Sequence, residues 1–380
     1  MNSKLCEMFG IEFPIFAFSH CRDVVAEVSK AGGLGVLGLG RKDPSYVHED
    51  LNWIDAHVQG RPYGIDVVQP RNLQDTGAAK FDPTQPEVRA QVEFVEKMLD
   101  DAGIARLSKE NHEKFAKEYL DSLNFTPAES VRMVDIALQH PIKLIVNGLG
   151  TPPADLIRRA HDGGVRVAAL AGNTQHATRH RDAGCDFVIA VGTEAGGHTG
   201  PISSVVLWPR IVDAVAPLPV LGGGGVGRGR QIAAALALGC EGVWCGSVWL
   251  KTAQSDISPA IKARLFAADS NDAVYTKAFT GKSGRFLRSK YLDAWSRPDA
   301  PKVLQAPLQR YLWDSEARAR VERSGADDFL VYPVGQIVGD MSEETSVRNV
   351  MVEMVNELVE AKEKFDRFFE EPGTNRPDQS

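Results

Sequence analysis

PVLGGGGVGRGRQIAAALALGCEGVWCGS, Pro219 to Ser247, is the stretch whose reading decides the fold. It reads as a short apolar strand, a glycine-rich loop, an amphipathic helix ending near Gly239, and a second strand. Gly222 to Gly227 spells a literal GxGxxG, and two architectures compete for it. A Rossmann dinucleotide fingerprint should open a βαβ unit and meet an acidic residue at the end of the next strand, about 20 residues on. Here Glu241 precedes the next strand, and the run sits late in the chain. The competing reading is half of a phosphate site at the mouth of a barrel. There, the loops after strands seven and eight turn backbone N–H groups and the start of a short helix toward the phosphate. CGS, Cys245 to Ser247, would be the other half. Glycines serving tight turns alone are a third reading.

Outward from this stretch, short apolar or β-branched runs recur along the whole chain. Strands are read at 14–19, 34–40, 63–68, 142–148, 166–172, 187–192, 219–224 and 242–250. Helix-like pieces such as DVVAEVSKAGG, PPADLIRRAHDGG and TQHATRHRDAGC separate most of them, and several end in Gly as helix C-caps do. Eight strands alternating with helices predict an α/β fold, a (β/α)₈ TIM barrel. Two segments exceed a minimal barrel. Residues 70–130 form a helical insertion after strand 3, with QPEVRAQVEFVEKMLDDAGI and ENHEKFAKEYLDSL as two charged amphipathic helices. This insertion leaves a strand's C-terminal end, so it reads as a lid, a substrate wall or an oligomer contact. It is expected to shape substrate access rather than to hold the fold together. Residues 251–334, rich in Arg, Trp and Tyr, read as a small substrate or cap subdomain after strand 8. The barrel is then 1–250 together with 335–380, and the tail EEPGTNRPDQS is expected to be disordered.

Bulk composition narrows the partners. Of 380 residues, 50 are acidic and 43 basic, giving a net charge of −7 with no basic block. Nucleic acid needs a clustered basic face, so it is not an expected partner. The five cysteines are scattered without a CxxC pair, which predicts neither a zinc site nor a disulfide framework. The N-terminus lacks the pattern of a secretory leader, and no apolar run reaches the roughly 18 residues that span a bilayer. A cytoplasmic protein without membrane association is the expectation.

VGTEAGGHTGP, Val191 to Pro201, leaves the sixth strand and at once sets Glu194 and His198 around paired glycines. Glycines there let backbone approach something closely or take φ > 0. A histidine just beyond them is either chemistry or the polar end of a loop. Glu194 is equally readable as an anchor that holds the loop through backbone hydrogen bonds. The other histidines, His176 among them, read as surface or structural. His20, which follows the first strand, is a weaker second candidate.

Taken together, AGGLGVLG (31–38), TEAGGHTG (193–200), the 219–247 unit and VGQIVG (334–339) resemble the nitronate monooxygenase family, FMN-dependent TIM barrels also called 2-nitropropane dioxygenases. The resemblance covers roughly residues 10–250 and 330–345. It implies that the FMN phosphate rests on backbone groups of Gly224, Gly225, Gly246 and Ser247, beside Cys245. Gly196 and Gly197 would let their loop pass close to the isoalloxazine, Gln336 would reach the cofactor from the C-terminal segment, and His198 takes the catalytic position. Ala17, Phe18, Ser19, Asp66 and Asn147 occupy the remaining cofactor-side positions. A bulky residue at Gly224 is expected to displace the phosphate and leave the barrel folded.

The chain also departs from the family. AFSH (Ala17 to His20) stands where a proline–methionine pair is usual, Asp66 replaces an asparagine, and Val191 replaces a glutamine. The resemblance implies oxidation of alkyl nitronates with O₂. The same superfamily includes NAD(P)H-dependent reductases of enoyl or CoA thioesters, and FLRSKYLDAW (286–295) resembles a segment of a branch acting on CoA thioesters. Either substrate is a small molecule, NAD(P)H is the candidate reductant in the second case, and a homodimer is admitted. Two rivals lie outside flavin chemistry: an aldolase or isomerase acting on a sugar phosphate, and an inactive barrel used for binding. The first would usually show a lysine or metal ligands at strand ends, and none is read there, so no metal site is expected.

Overall fold

The computed structural model describes residues 1–40, 44–69, 86–121 and 127–369. The expected disordered tail and part of the insertion lie outside the described residues. Eight parallel strands close into a barrel: β1 (Ile15–Ser19), β2 (Leu34–Gly38), β3 (Tyr63–Val67), β4 (Leu144–Asn147), β5 (Arg166–Ala171), β6 (Phe187–Val191), β7 (Val220–Gly223) and β8 (Gly242–Cys245). β8 returns to β1 with Phe16 opposite Trp244. All eight fall inside the runs read from the sequence. The period of two explains why both faces are apolar: Phe16, Val36, Val146, Ile189, Leu221 and Trp244 fill the barrel, while Ile15, Ala17, Val188 and Val243 pack outward against the helices. Helix Lys4–Phe9 plugs the N-terminal end, where Phe9 meets Phe16 and Phe187 edge-on at 5.6 and 5.9 Å.

The eighth run is shorter than expected. It stops at Cys245, and Ser247–Lys251 forms a 3₁₀ helix. Gly246, at φ −121° and ψ −67°, leaves the sheet, and the Trp249 indole donates to the Cys245 carbonyl at 2.9 Å, pinning the turn. The motif histidine also lies on a strand that the sequence reading missed. Gly197–His198 pairs antiparallel with β10 (Gly284–Leu287), which pairs with β9 (Ala273–Thr276), forming a small second sheet over the barrel mouth.

The insertion is built into the fold. Its helices are Pro86–Asp101, Lys109–Asp121 and Pro127–Ala137. The last packs Met133, Val134 and Ala137 on the barrel beside Tyr63 and Ile65. The first buries Val95, Met98 and Leu99 against Phe279, Phe286, Tyr291, Trp295 and Trp313 of the segment after β8. Polar contacts join the same two segments: Arg320 donates to Asp100 at 2.7 Å, and Gln91 donates to the Lys302 carbonyl at 3.0 Å. The expectation that the insertion leaves the fold unaffected is corrected, because these side chains form one shared apolar core.

Candidate active site

A cavity of about 350 Å³ opens at the C-terminal ends of the strands, within the range of small-ligand sites, roughly 300–1,000 Å³. Phe18, Leu170, Val191 and Trp244 form its apolar floor, and residues from both ends of the chain wall it. The structure gathers most of the sequence-predicted residues here: Phe18, Ser19, Asp66, Gly196, Gly197, His198, Gly224, Gly225, Gly246 and Ser247 all line it. The remaining four are placed elsewhere. Ala17 and Cys245 face outward into the layer between barrel and helices, one strand position out of phase with Phe18 and Trp244. Asn147 is fully buried and staples the β3 and β4 loops, accepting from Gln69 N–H at 2.8 Å and donating to the Gly150 carbonyl at 3.0 Å. Gln336 lines a neighbouring groove with Glu194 and Ser204, and Ile337 takes the place on the cavity side.

The loop from Thr193 to Gly200 answers why paired glycines stand beside a charged pair. A Cβ on Gly196 would lie 2.8 Å from the Val334 and Gly335 backbone, so the loop passes directly against the C-terminal segment. Gln336 N–H donates to the Glu194 carbonyl at 2.9 Å, and Gly335 N–H donates to Ser247 Oγ at 2.8 Å. The histidine motif, the VGQIVG segment and the end of β8 are thus tied together. Glu194 is an anchor: its carboxylate accepts from Ser204 N–H at 3.1 Å and Ser204 Oγ at 2.6 Å, at the start of helix Ser204–Val215. There it also meets the positive end of the helix dipole. Buried Arg285 on β10 donates to the Thr193 and Ala273 carbonyls at 2.8 and 2.5 Å, holding the loop from above. No motif in its surroundings marks Arg285.

His198 stands exposed at the rim, its Nε2 2.8 Å from Thr280 Oγ1 and its ring edge-on to Phe286. The strand pairing of Gly197–His198 and the threonine contact together aim the imidazole. His20, the second candidate, also lines the cavity, donating from Nδ1 to the Gly38 carbonyl at 2.9 Å. Sequence reasoning missed Tyr332, Asp256 and Cys21, which also line the cavity. Burial pushes the Tyr332 phenol up to about 12 and raises the Cys21 thiol. Both therefore stay protonated near neutral pH.

The glycine-rich wall suits a phosphate. Gly224 and Gly225 have φ of +111° and +67°, which turns the backbone after β7 toward the mouth. Among the described residues, no acceptor takes the backbone N–H of Gly225, Val226, Gly246 or Ser247, and all four residues line the cavity. Unpaired N–H groups converging on one wall form an anion-binding concavity. A Cβ on Gly246 would meet only Phe18, at 3.8 Å, so that position leaves room for a ligand. The described residues hold no group of three or more His, Cys, Asp or Glu placed to bind a metal, and no described helix is long and apolar enough to cross a membrane. Arg288, in the segment that resembles a CoA-thioester branch, is engaged by Asp272 and Asp293 at 3.2 and 2.9 Å.

A closed (β/α)₈ barrel with a glycine-rich wall and a histidine at one mouth is an arrangement that barrel enzymes use, and comparison with known proteins makes this one an oxidoreductase. The model of the family described as nitronate monooxygenase matches residues 2–360. A Mycobacterium tuberculosis protein named as a monooxygenase is 44% identical over 371 residues, covering 95% of this chain and 97% of its own length. The solved nitroalkane oxidase of Streptomyces ansochromogenes is 26% identical with a TM-score of 0.74, covering 95% of this chain and 99% of its own. FabK of Thermotoga maritima shares the fold at 22% identity, with a TM-score of 0.73 over 97% of this chain and 99% of its own. The chain belongs to the nitronate monooxygenase family, and FMN is the cofactor that membership implies.

Proposed function

We propose that the chain oxidises alkyl nitronates with O₂, using FMN bound in the barrel mouth. The observation that carries this reading is that the backbone cradle and His198 open onto one cavity. The N–H groups of Gly225, Val226, Gly246 and Ser247 would hold the FMN phosphate as charge-assisted donors, with Gly224 setting their direction. Phe18, Ser19, Gly196 and Gly197 would flank the ring system. Bound there, FMN supplies a two-electron acceptor that O₂ restores. A nitronate arrives already deprotonated, so the protein has to hold an anion and exclude water. The apolar floor of Leu170, Val191 and Trp244 does the second. His198 donates a hydrogen bond to the nitro oxygens, or takes the α-proton of a neutral nitroalkane at an imidazole nitrogen whose ordinary pKa lies near neutrality. Residues 251–334, with the insertion packed beneath them, form the cap over this mouth. A small-molecule substrate and a cytoplasmic location complete the proposal.

The test is anaerobic reduction of the bound flavin by propionate 3-nitronate, NADPH and NADH in parallel. Rapid bleaching by the nitronate alone is the expected result. Bleaching by a nicotinamide, with none by the nitronate, would replace this reading with NAD(P)H-dependent reduction of an enoyl or CoA thioester.

A further inference from the structure

Asp66 is a charged-type residue where the fold offers it nothing to pair with. It sits one residue before the end of β3, on the inward face, opposite Gly38 of β2 and Val146 of β4, and keeps only 7% of its surface, which it presents to the cavity. Its carboxyl makes no hydrogen bond and no ion pair among the described residues. Room is reserved for it, since a Cβ on Gly148 would lie 2.7 Å from Asp66 Oδ1. Around it stand Phe18 of β1 with His20 just beyond that strand, Gly38 of β2 with Gly40 just beyond it, Gly148 directly after β4, and Leu170 of β5. Of these, His20 alone titrates. Cys21, His198, Asp256 and Tyr332 lie around the rest of the wall. A carboxylate so placed would carry an uncompensated buried charge, whereas a carboxylic acid would leave one O–H donor facing the ligand space.

We propose that Asp66 is a hydrogen-bond donor on the β3 side of the cavity, offering a carboxyl O–H to an electron-rich atom of the molecule bound in the mouth. The inference rests on the cavity's being the reaction chamber. Burial, acting without a charged partner, raises the carboxyl well above the usual range, in the sense that the donor requires. β3 lies across the barrel from the β7–β8 cradle. A ligand anchored there by phosphate, or an anion lying between, meets Asp66 from the far side. The interaction is therefore sensitive to pH in one direction. It is present while Asp66 is protonated, and is replaced by charge repulsion once an anionic ligand faces a carboxylate.

Two measurements on the purified FMN-loaded protein test this. The first is infrared difference spectroscopy of wild type against Asp66→Asn, at neutral and strongly alkaline pH. A carboxylic-acid C=O stretch present at neutral pH, absent from the variant and lost in alkali is expected. The second is the affinity for propionate 3-nitronate across pH. Wild-type affinity should fall as Asp66 ionises. Asp66→Asn, a donor at every pH, should hold its affinity, and Asp66→Leu should lose about tenfold throughout, the scale of one hydrogen bond. Absence of the acid band at neutral pH overturns the proposal, as does unchanged affinity in Asp66→Leu. The infrared arm needs no substrate, so it decides the state of Asp66 even if the nitronate is not oxidised. Should Asp66→Leu fail to fold, the band and the Asp66→Asn pH profile still decide.

Discussion

Gly246→Leu should remove FMN from a barrel that stays folded. A Cβ at Gly246 meets only Phe18 Cδ1, at 3.8 Å, and the residue has a negative φ, so the side chain enters ligand space instead of protein. The expectation that Gly224 would serve this purpose is corrected by the structure. A Cβ there would lie 2.7 Å from Ser204 Oγ and 3.0 Å from the Gly192 backbone, at a φ of +111°. Gly224→Leu would therefore strain the barrel by about 1–3 kcal/mol from the backbone alone, before any clash. For Gly246→Leu, displacing the phosphate from two charge-assisted hydrogen bonds forfeits about 3–6 kcal/mol. That weakens binding by roughly 10²- to 10⁴-fold. Fluorescence titration of each apoprotein with FMN, alongside its thermal unfolding, separates the two variants. Gly246→Leu should lose affinity at near wild-type stability, and Gly224→Leu should lose stability. Wild-type affinity in Gly246→Leu would refute the cradle.

His198→Asn should keep FMN, because the side chain is exposed at the rim and outside the core, and lower turnover by roughly 10²-fold. Steady-state rates should fall more on a neutral nitroalkane, where a proton moves, than on a preformed nitronate; rates unchanged from wild type on both would reduce His198 to a loop residue. Leu99→Ala removes a fully buried side chain from the core shared by insertion and cap. Chemical denaturation should show a loss of about 2–5 kcal/mol, and a neutral result would restore the expectation that the insertion does not hold the fold together. His112 Nε2 lies 3.1 Å from buried Glu316, whose hydrogen bond raises the imidazole above its ordinary value. A raised folded-state pKa means this contribution is complete below the unfolded pKa of about 6.5 and is lost as pH rises through the folded value. The melting temperature of wild type should therefore decline over that window relative to His112→Gln, and parallel profiles would contradict the contact.

The barrel was legible because each strand is a short apolar run bounded by glycine or by an amphipathic helix, and those are local signals. The glycine-rich wall of the cavity was legible for the same reason, since Gly224, Gly225, Gly246 and Ser247 sit at strand ends that the run itself marks. What escaped depends on contacts distant in sequence. Gly197–His198 becomes a strand only because β10, far later in the chain, supplies the partner edge by pairing Gly284 with His198. Arg285 holds the loop from that edge, and nothing in its neighbours announces it. Ala17 and Cys245 were misplaced by one position in a period-two pattern, which moves a side chain to the opposite face. Gln336 lies in a 3₁₀ turn, where its neighbour Ile337 turns to the cavity in its place. The shared core of insertion and cap joins Val95 and Leu99 to Trp295 and Trp313, and amphipathicity alone says that a face is covered without naming the cover.

The most direct test of the account is the flavin itself. The protein, purified gently and reconstituted with a mixture of FMN and FAD, is heat-denatured, and the supernatant is resolved by chromatography. The proposed cradle of Gly225, Val226, Gly246 and Ser247 offers its backbone N–H groups to a single phosphate, which predicts FMN at close to one per chain. FAD in its place, or no flavin retained after reconstitution, would contradict the assignment of the barrel mouth as an FMN site.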